Sequence, residues 1–312
     1  MTPLSHGAPA VSLIMPVWRP HLPWLLEAVE SALADDETSC ELIVVDDGCE
    51  QPVAGMLASI HDKRMRVLRV PHGGQSAALN AGIAAASGEW FRFVDADDVL
   101  TRCSTSHLLA VAGGDSVVTY GSTQVCDEQL RPGRIIGSTL EGNVLVDCLL
   151  GRFATRHPSM LFPRHVVEAA GPWDGGFRVS ADWDFVLRSL EHAPVRGDST
   201  IATLYRRHGR SVSRTADVAA GEESRRRMLT RYFDRHPEQK DTALERQTWG
   251  ALYSDRGCAY WNAREYHRSV RTFALAVRSR PVEGTLDVAR FLARRIRRRV
   301  APLRESHASG AL

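Results

Sequence analysis

The sequence predicts an α/β domain with a mostly parallel central sheet, followed by an all-helical C-terminal region. Three observations predict it. Between Val11 and Leu190, short continuous apolar runs of strand length alternate with stretches of helical periodicity. Two of those runs end in clustered aspartates. From about Ala216 onward only helical patterns remain.

The elements follow in order. Val11 to Val17 reads as a buried strand, and the helix after it carries Pro23 in its first turn, with Leu25, Leu26, Val29 and Leu33 on one face. Glu41 to Val45 is a second strand, running into Asp46-Asp47-Gly48, and Val53 to Ile60 reads as a helix. Met65 to Val70 is a third strand; Gly73-Gly74 turns into a helix over Ser76 to Ala86, which Gly88 stops. Trp90 to Val94 is a fourth strand, running into Asp95-Ala96-Asp97-Asp98. Repeated strand–helix–strand units predict parallel pairing with helices on both faces, and ligands then bind at the carboxyl ends of the strands. Beyond Asp98, Val117 to Tyr120, Thr123 to Cys126 and Met160 to Pro163 read as short strands and Asp182 to Leu190 as a helix. The expected division is a lead-in over 1–10, an α/β domain over 11–215 and a helical region over 216–312.

Composition narrows the function. Hydrophobic residues make up 44% of the 312 residues, enough for a sizeable core. The net charge of +2 gives no bulk electrostatic case for nucleic acid. Lys63 and Lys240 are the only lysines; every other basic side chain is arginine, a bias that fits base composition of the gene as well as phosphate recognition. The six cysteines form no C-x-x-C pair, which argues against zinc and for buried thiols in a reducing compartment. No basic-flanked leader and no apolar stretch of about 20 residues is visible, so a cytoplasmic protein is expected.

The acidic clusters carry the chemistry. Asp95, Asp97 and Asp98 are hard oxygen ligands suited to manganese or magnesium, and packed together they repel one another without a cation. Asp46 and Asp47 can accept from a base N–H or a ribose hydroxyl, though an Asp-Gly pair also makes turns. The glycines of His72-Gly73-Gly74, ahead of a helix, let backbone N–H groups approach a phosphate; the spacing is neither G-x-G-x-x-G nor a P-loop. Asn80, polar in an alanine-rich helix, either meets the ligand or orients a neighbour across the top of the sheet.

Taken in order, Val11-Ser-Leu-Ile-Met-Pro-Val-Trp18, Ile43-Val-Val-Asp-Asp-Gly48, Gly73-Gly-Gln-Ser-Ala-Ala-Leu-Asn-Ala-Gly82 and Gly88 through Asp98 resemble glycosyltransferase family 2, the inverting enzymes of the GT-A fold. The resemblance covers roughly residues 11 to 214. It implies a nucleotide-diphosphate sugar donor, a UDP-sugar, with manganese or magnesium. Pro16 and Trp18 then lie near the base, Asp46 and Asp47 read the nucleoside, and Gly74 and Asn80 line the donor site. Asp97 leads the metal ligands, with Asp95 and Asp98 around it. Ser180-Ala-Asp182-Trp-Asp184 resembles the family's Glu-Asp motif, which makes Asp182 the catalytic base, with Asp184 next in line. Ala181 stands where the family has glutamate, and Leu79 where it often has arginine. The basic segment Arg206 to Ser213 matches a later motif, and His208 in it is placed toward the diphosphate or the metal.

The acceptor implied is a glycan, a glycolipid or a small molecule. A sugar-phosphate nucleotidyltransferase needs a glycine-rich loop after the first strand, where Pro16-Val-Trp-Arg-Pro20 has none. Neither a Q-x-x-R-W motif nor membrane helices of the processive synthases are visible, so single-sugar transfer is expected. The departures at Leu79 and Ala181 keep one alternative alive: a catalytically weak nucleotide-sugar-binding or scaffold protein with a helical interaction module. In that module Tyr253 to Pro281 resembles one tetratricopeptide helix pair. The last helix, Thr285 to Val300, carries Leu286, Ala289, Leu292, Ala293, Ile296 and Val300 on one stripe among arginines. Its ordinary reading is packing on the preceding helices; the other is peripheral contact of 285–300 with an anionic membrane surface.

Overall fold

The computed structural model describes residues 9–177, 179–211 and 217–305, with side chains through 295. Most of the lead-in, the end of the basic segment at Val212 and Ser213, and the side chains of Ile296 and Val300 lie outside the described residues. The chain divides into two compact units, 1–148 with 152–215, and 149–151 with 216–312.

The first unit is built on a nine-stranded sheet. In chain order its elements are β1 (Val11–Val17), α1 (Leu22–Leu33), β2 (Cys40–Asp47), α2 (Val53–Met56), β3 (Met65–Val70), α3 (Gln75–Ala85), β4 (Trp90–Phe93), β5 (Val99–Leu100), α4 (Ser104–Ala112), β6 (Val118–Cys126), β7 (Pro132–Ile136), α5 (Leu145–Leu149), β8 (Met160–Pro163), α6 (Arg164–Ala170), α7 (Ala181–Leu190) and β9 (Val195–Arg206). The strand order is β3-β2-β1-β4-β8-β6-β9-β5, with β7 paired to β6. The first four strands of that order pair in parallel, as the sequence predicts. Past β4 the sheet is mixed: β8 runs antiparallel to both β4 and β6, and β6 is parallel to β9. The two short strands expected at 117–120 and 123–126 are one continuous, fully buried β6. The helix expected over 53–60 ends at Met56.

Parallel pairing puts the ends of β1, β2 and β4 on one edge, so Trp18, Asp46-Asp47 and the Asp95–Asp98 turn share it. The layer beneath is tight. A Cβ on Gly82 of α3 would stand 2.4 Å from Ile14 of β1, so glycine there is what lets helix and strand touch.

One buried cation ties the sheet to the site. The Arg92 side chain on β4 is fully buried and donates to the carbonyls of Pro158 and Ala202 and to the hydroxyls of Ser104 and Thr105, all at 2.7–3.0 Å. Burial outweighs the attraction of Asp35 and pushes its pKa down to about 9. Arg92→Ala would leave these acceptors without their donor and open a cavity, so a loss of roughly 3–5 kcal/mol is expected in urea denaturation. A variant within 1 kcal/mol of wild type (about the median effect of any substitution) would remove this role.

The second unit is helical: α8 (Val218–Arg235), α9 (Ala243–Asn262), α10 (Tyr266–Ser279) and α11 (Pro281–Glu305). Asp217 caps α8 and Thr242 caps α9 through their side chains. The α9–α10 pair packs closely at Gly257, where a Cβ would meet the Phe273 ring at 2.5 Å. The last helix does not bury the stripe expected of it. Gly284 lies against Ala276, and Phe291 packs with Phe273 and Trp261, while Leu286, Ala289, Leu292 and Ala293 are exposed. A glycine that admits close approach and one aromatic anchor decide which face is covered.

Candidate active site

The loop after β1 and the turn into α3 form one wall. Trp18 is half exposed and stacks on His72 with ring centroids 4.9 Å apart and planes within 15°. The Arg19 guanidinium also lies over the Trp18 ring, 4.7 Å from its centroid. Asp47 is buried beneath and accepts from His72 Nδ1 at 2.9 Å, Gly73 N at 2.8 Å and Gly74 N at 3.0 Å. In this state its carboxylate organises the glycine turn, and the Gly74 N–H is already taken. Asp46 is likewise buried and accepts from Cys49 N, Val53 N and Arg69 Nη1 at 2.8–3.1 Å. Burial pushes its pKa up, but the two backbone donors and Arg69 outweigh that and hold it below the usual range. Asp46 thus shapes the loop that follows β2 and is not open to a nucleoside. Pro16 lies within β1, two residues ahead of Trp18.

The turn after β4 separates its three aspartates. The Asp95 carboxylate accepts from Gln75 Nε2 at 3.0 Å. Asp97 Oδ2 lies 2.7 Å from His208 Nε2, and Arg206 Nε donates to the Asp97 carbonyl at 3.0 Å. Burial, and then the neighbouring Asp95 charge, push the Asp97 carboxyl up; His208 offsets part of this. Asp98 differs: it is 0% exposed and its Oδ1 accepts from Arg206 N at 2.9 Å. Its other oxygen has no hydrogen-bond partner among the described residues, and burial drives its pKa well up. Asp98 therefore joins the turn to β9 and offers no accessible ligand atom. His208 also packs against Trp24, at 4.6 Å.

The far wall comes from the segment before β8 and from α7. Asn80 grips the backbone of Trp173 at both ends, donating to its carbonyl at 2.9 Å and accepting from its N–H at 2.8 Å. Of the two readings of Asn80, the structure shows the orienting one. Trp173 in turn stacks on Phe185 of α7 at 4.4 Å. Ser180, with φ of 64°, is the N-cap of α7, so Asp182 lies within the first turn and is not the cap. Asp184 is buried and paired with Arg188 at 2.8 Å, which removes it as a reserve base. Leu79 is buried in the core.

His157 joins the two walls; the sequence places it in a segment, His157 to Phe162, that resembles the family's acceptor side, but does not single it out as a site residue. Its ring is buried, with Nε2 at 3.7 Å from Asp95 Oδ1 and Nδ1 at 3.8 Å from Asp182 Oδ2. Burial opposes its charge, but the carboxylates, Asp95 first, push its pKa up to about 10. Burial would raise Asp182; the charged His157 overrides this and holds the carboxyl below the usual range. The signal in the sequence was the position of His157 at the head of that segment, ahead of Pro158.

Among the described residues, no group of three or more His, Cys, Asp and Glu side chains is placed to hold a metal ion. The donors fit a different design. A hard cation is commonly held by one or two carboxylates plus substrate phosphates, and the raised pKa of Asp97 marks negative charge that a cation would relieve.

An α/β sheet with its acidic groups at the carboxyl ends of parallel strands has the architecture of nucleotide-binding domains. Comparison with known proteins sharpens this. Residues 12–146 match the family described as Glycosyl transferase family 2. An uncharacterized glycosyltransferase of Rickettsia felis is 29% identical over 221 residues, which span 68% of this chain and 36% of that protein. The chain thus matches about a third of that relative's length. A PGL/p-HBAD biosynthesis glycosyltransferase of Mycobacterium tuberculosis is 29% identical over 194 residues, 60% of this chain and 72% of that one. Among solved structures, S. aureus TarS in complex with UDP-GlcNAc superposes with a TM-score of 0.57 at 15% identity, covering 86% of this chain and 90% of the other. Residues 12–146 thus resemble glycosyltransferase family 2, and the N-terminal unit shares the GT-A fold of the TarS structure.

Proposed function

We propose that residues 11–215 transfer a single sugar from a nucleoside-diphosphate sugar, a UDP-sugar, to an acceptor hydroxyl, with inversion at the anomeric carbon. The observation that carries this reading is the seat of His157 between Asp95 and Asp182. It couples a carboxylate suited to the cation that neutralises the donor diphosphate with one held ionised for proton removal. Asp182 takes the proton of the acceptor hydroxyl as its oxygen attacks the anomeric carbon and the bond to the diphosphate breaks. A single displacement of this kind inverts the centre. The Trp18–His72 stack offers a flat face for the base. Asp95 and Asp97 would hold manganese or magnesium, with His208 against Asp97; the ion supplies Lewis-acid stabilisation of the departing diphosphate. TarS, whose structure holds UDP-GlcNAc, supports uridine as the base. The acceptor is proposed as a glycan, a glycolipid or a small hydroxylated molecule.

A thermal-shift panel of UDP, GDP and ADP, each with and without manganese, tests the reading. A ligand at a hundred times its Kd stabilises the fold by about 2.7 kcal/mol, so UDP with manganese is expected to raise Tm by several degrees. No shift with any nucleotide would overturn the assignment and favour a scaffold role. Slow UDP-sugar hydrolysis without acceptor would separate an active transferase from a domain that only binds.

A further inference from the structure

We propose that α11 docks the protein on an anionic lipid bilayer surface. This rests on the helical unit alone and stands whether or not the transferase reading holds. The helix covers one of its faces with Gly284 and Phe291. The opposite side leaves Val282 and Leu286 at 68% and 46% exposure, and they are four residues apart. Ala289 and Ala293 continue that stripe in the exposed class, and Leu292 at its border is 41% exposed. No helix among the described residues is long and apolar enough to cross a membrane.

Charge selects the occupant. The 25 residues of α11 contain seven arginines against Glu283, Asp287 and Glu305. Asp287 is already paired with Arg280 at 2.6 Å, so it does not offset the others. Arg290 and Arg294 lie in the exposed class and follow the helical spacing along one flank of the stripe. A second copy of this chain would bring the same arginines against each other, which disfavours a dimer through this face. An acidic surface accepts them, and the narrow apolar stripe enters the headgroup boundary. Each arginine near an anionic surface adds about fivefold to partitioning. Among the described side chains, the stripe holds three large apolar ones, Val282, Leu286 and Leu292. Electrostatics therefore dominates, and binding is steeply salt-dependent.

The test is co-sedimentation of the full chain with phosphatidylcholine vesicles and with equimolar phosphatidylcholine–phosphatidylserine vesicles, at low and raised salt. Binding is expected only to the anionic vesicles and only at low salt. The double variant Arg290→Glu/Arg294→Glu should weaken it by at least about 25-fold. Val282→Ser/Leu286→Ser should weaken it less. All four positions are exposed, and an unchanged melting curve confirms that the unit still folds. Failure to bind anionic vesicles, equal binding to neutral ones, or binding that both double variants leave unchanged would overturn the proposal. So would a concentration-dependent dimer in size-exclusion chromatography that Val282→Ser/Leu286→Ser abolishes.

Discussion

Asp182→Asn is expected to lower turnover by about 10²- to 10⁴-fold, the range for loss of a positioned general base, while donor affinity changes little. The expectation follows from three features of the carboxyl. It lies in the first turn of α7, where the positive end of the helix favours its charge. It is held ionised by His157 against the cost of burial. Asp184, the alternative two residues on, is locked to Arg188. Because Asp182 stays below the usual carboxylate range, loss of activity on the acid side should come below pH ~4, the ordinary carboxylate value, with no further limb from this group up to neutrality. The amide cannot accept the proton, but it keeps size and hydrogen-bonding capacity. Stability should also fall, because the buried His157 loses one of its two carboxylate partners, so the melting curve is read beside turnover. Rates with a matched acceptor, together with UDP binding by calorimetry, check this. Near wild-type turnover with Tm unchanged would place the base elsewhere.

How much of this was legible depended on what kind of information each element carried. Strands β1 and β2 were readable because each is buried almost throughout and so carries a continuous apolar run, whereas β3, half-buried with Arg66 and Arg69, was readable only from its valines and leucine between turn signals. Strand β9 escaped notice. Its first half, Val-Arg-Gly-Asp-Ser-Thr, reads as a turn and is only half buried, and its pairing with β6 shifts register there. Long-range pairing holds it in the sheet, and no local pattern reports that. The same division runs through the site. The sequence marked both acidic clusters, yet Asp46, Asp47 and Asp98 turn onto backbone amides while Asp95 and Asp97 meet side chains. Composition is identical for the two behaviours; only the path of β9, through Arg206, and of the loop after β2 separates them. The seat of His157 between Asp95 and Asp182 was not legible for a related reason, since its two carboxylate neighbours come from segments far away in the chain. In the last helix the widest apolar stripe was readable, but the covered face was set by Gly284 and Phe291, whose partners lie on α9 and α10.

Asp97→Asn is expected to abolish the manganese-dependent part of nucleotide binding while leaving the unliganded fold as stable as wild type, or more so. The sign follows from the pKa. Burial and the adjacent Asp95 raise the Asp97 carboxyl above its unfolded value. Stability linked to this group is therefore fully present below the unfolded pKa, where it is protonated, and is lost as pH rises through the folded value. At neutral pH the ionised side chain costs stability that a neutral amide does not. The asparagine can still meet His208 through its side-chain oxygen, so the link between the turn after β4 and the segment after β9 persists. A cation reverses the balance in the wild type, since clustered negative charge is then matched by positive charge and by phosphate oxygens. Removal of even a residue supporting a metal ligand costs ~10–100-fold in metal affinity, and loss of a ligand carboxylate should cost at least as much. Calorimetric titration of UDP with and without manganese should show a wild-type gain from the metal that the variant lacks. Thermal denaturation without ligand should show an equal or higher Tm for the variant. An unchanged manganese effect would remove Asp97 from the metal site. A lowered apo Tm would mean instead that its ionised carboxylate holds the turn together.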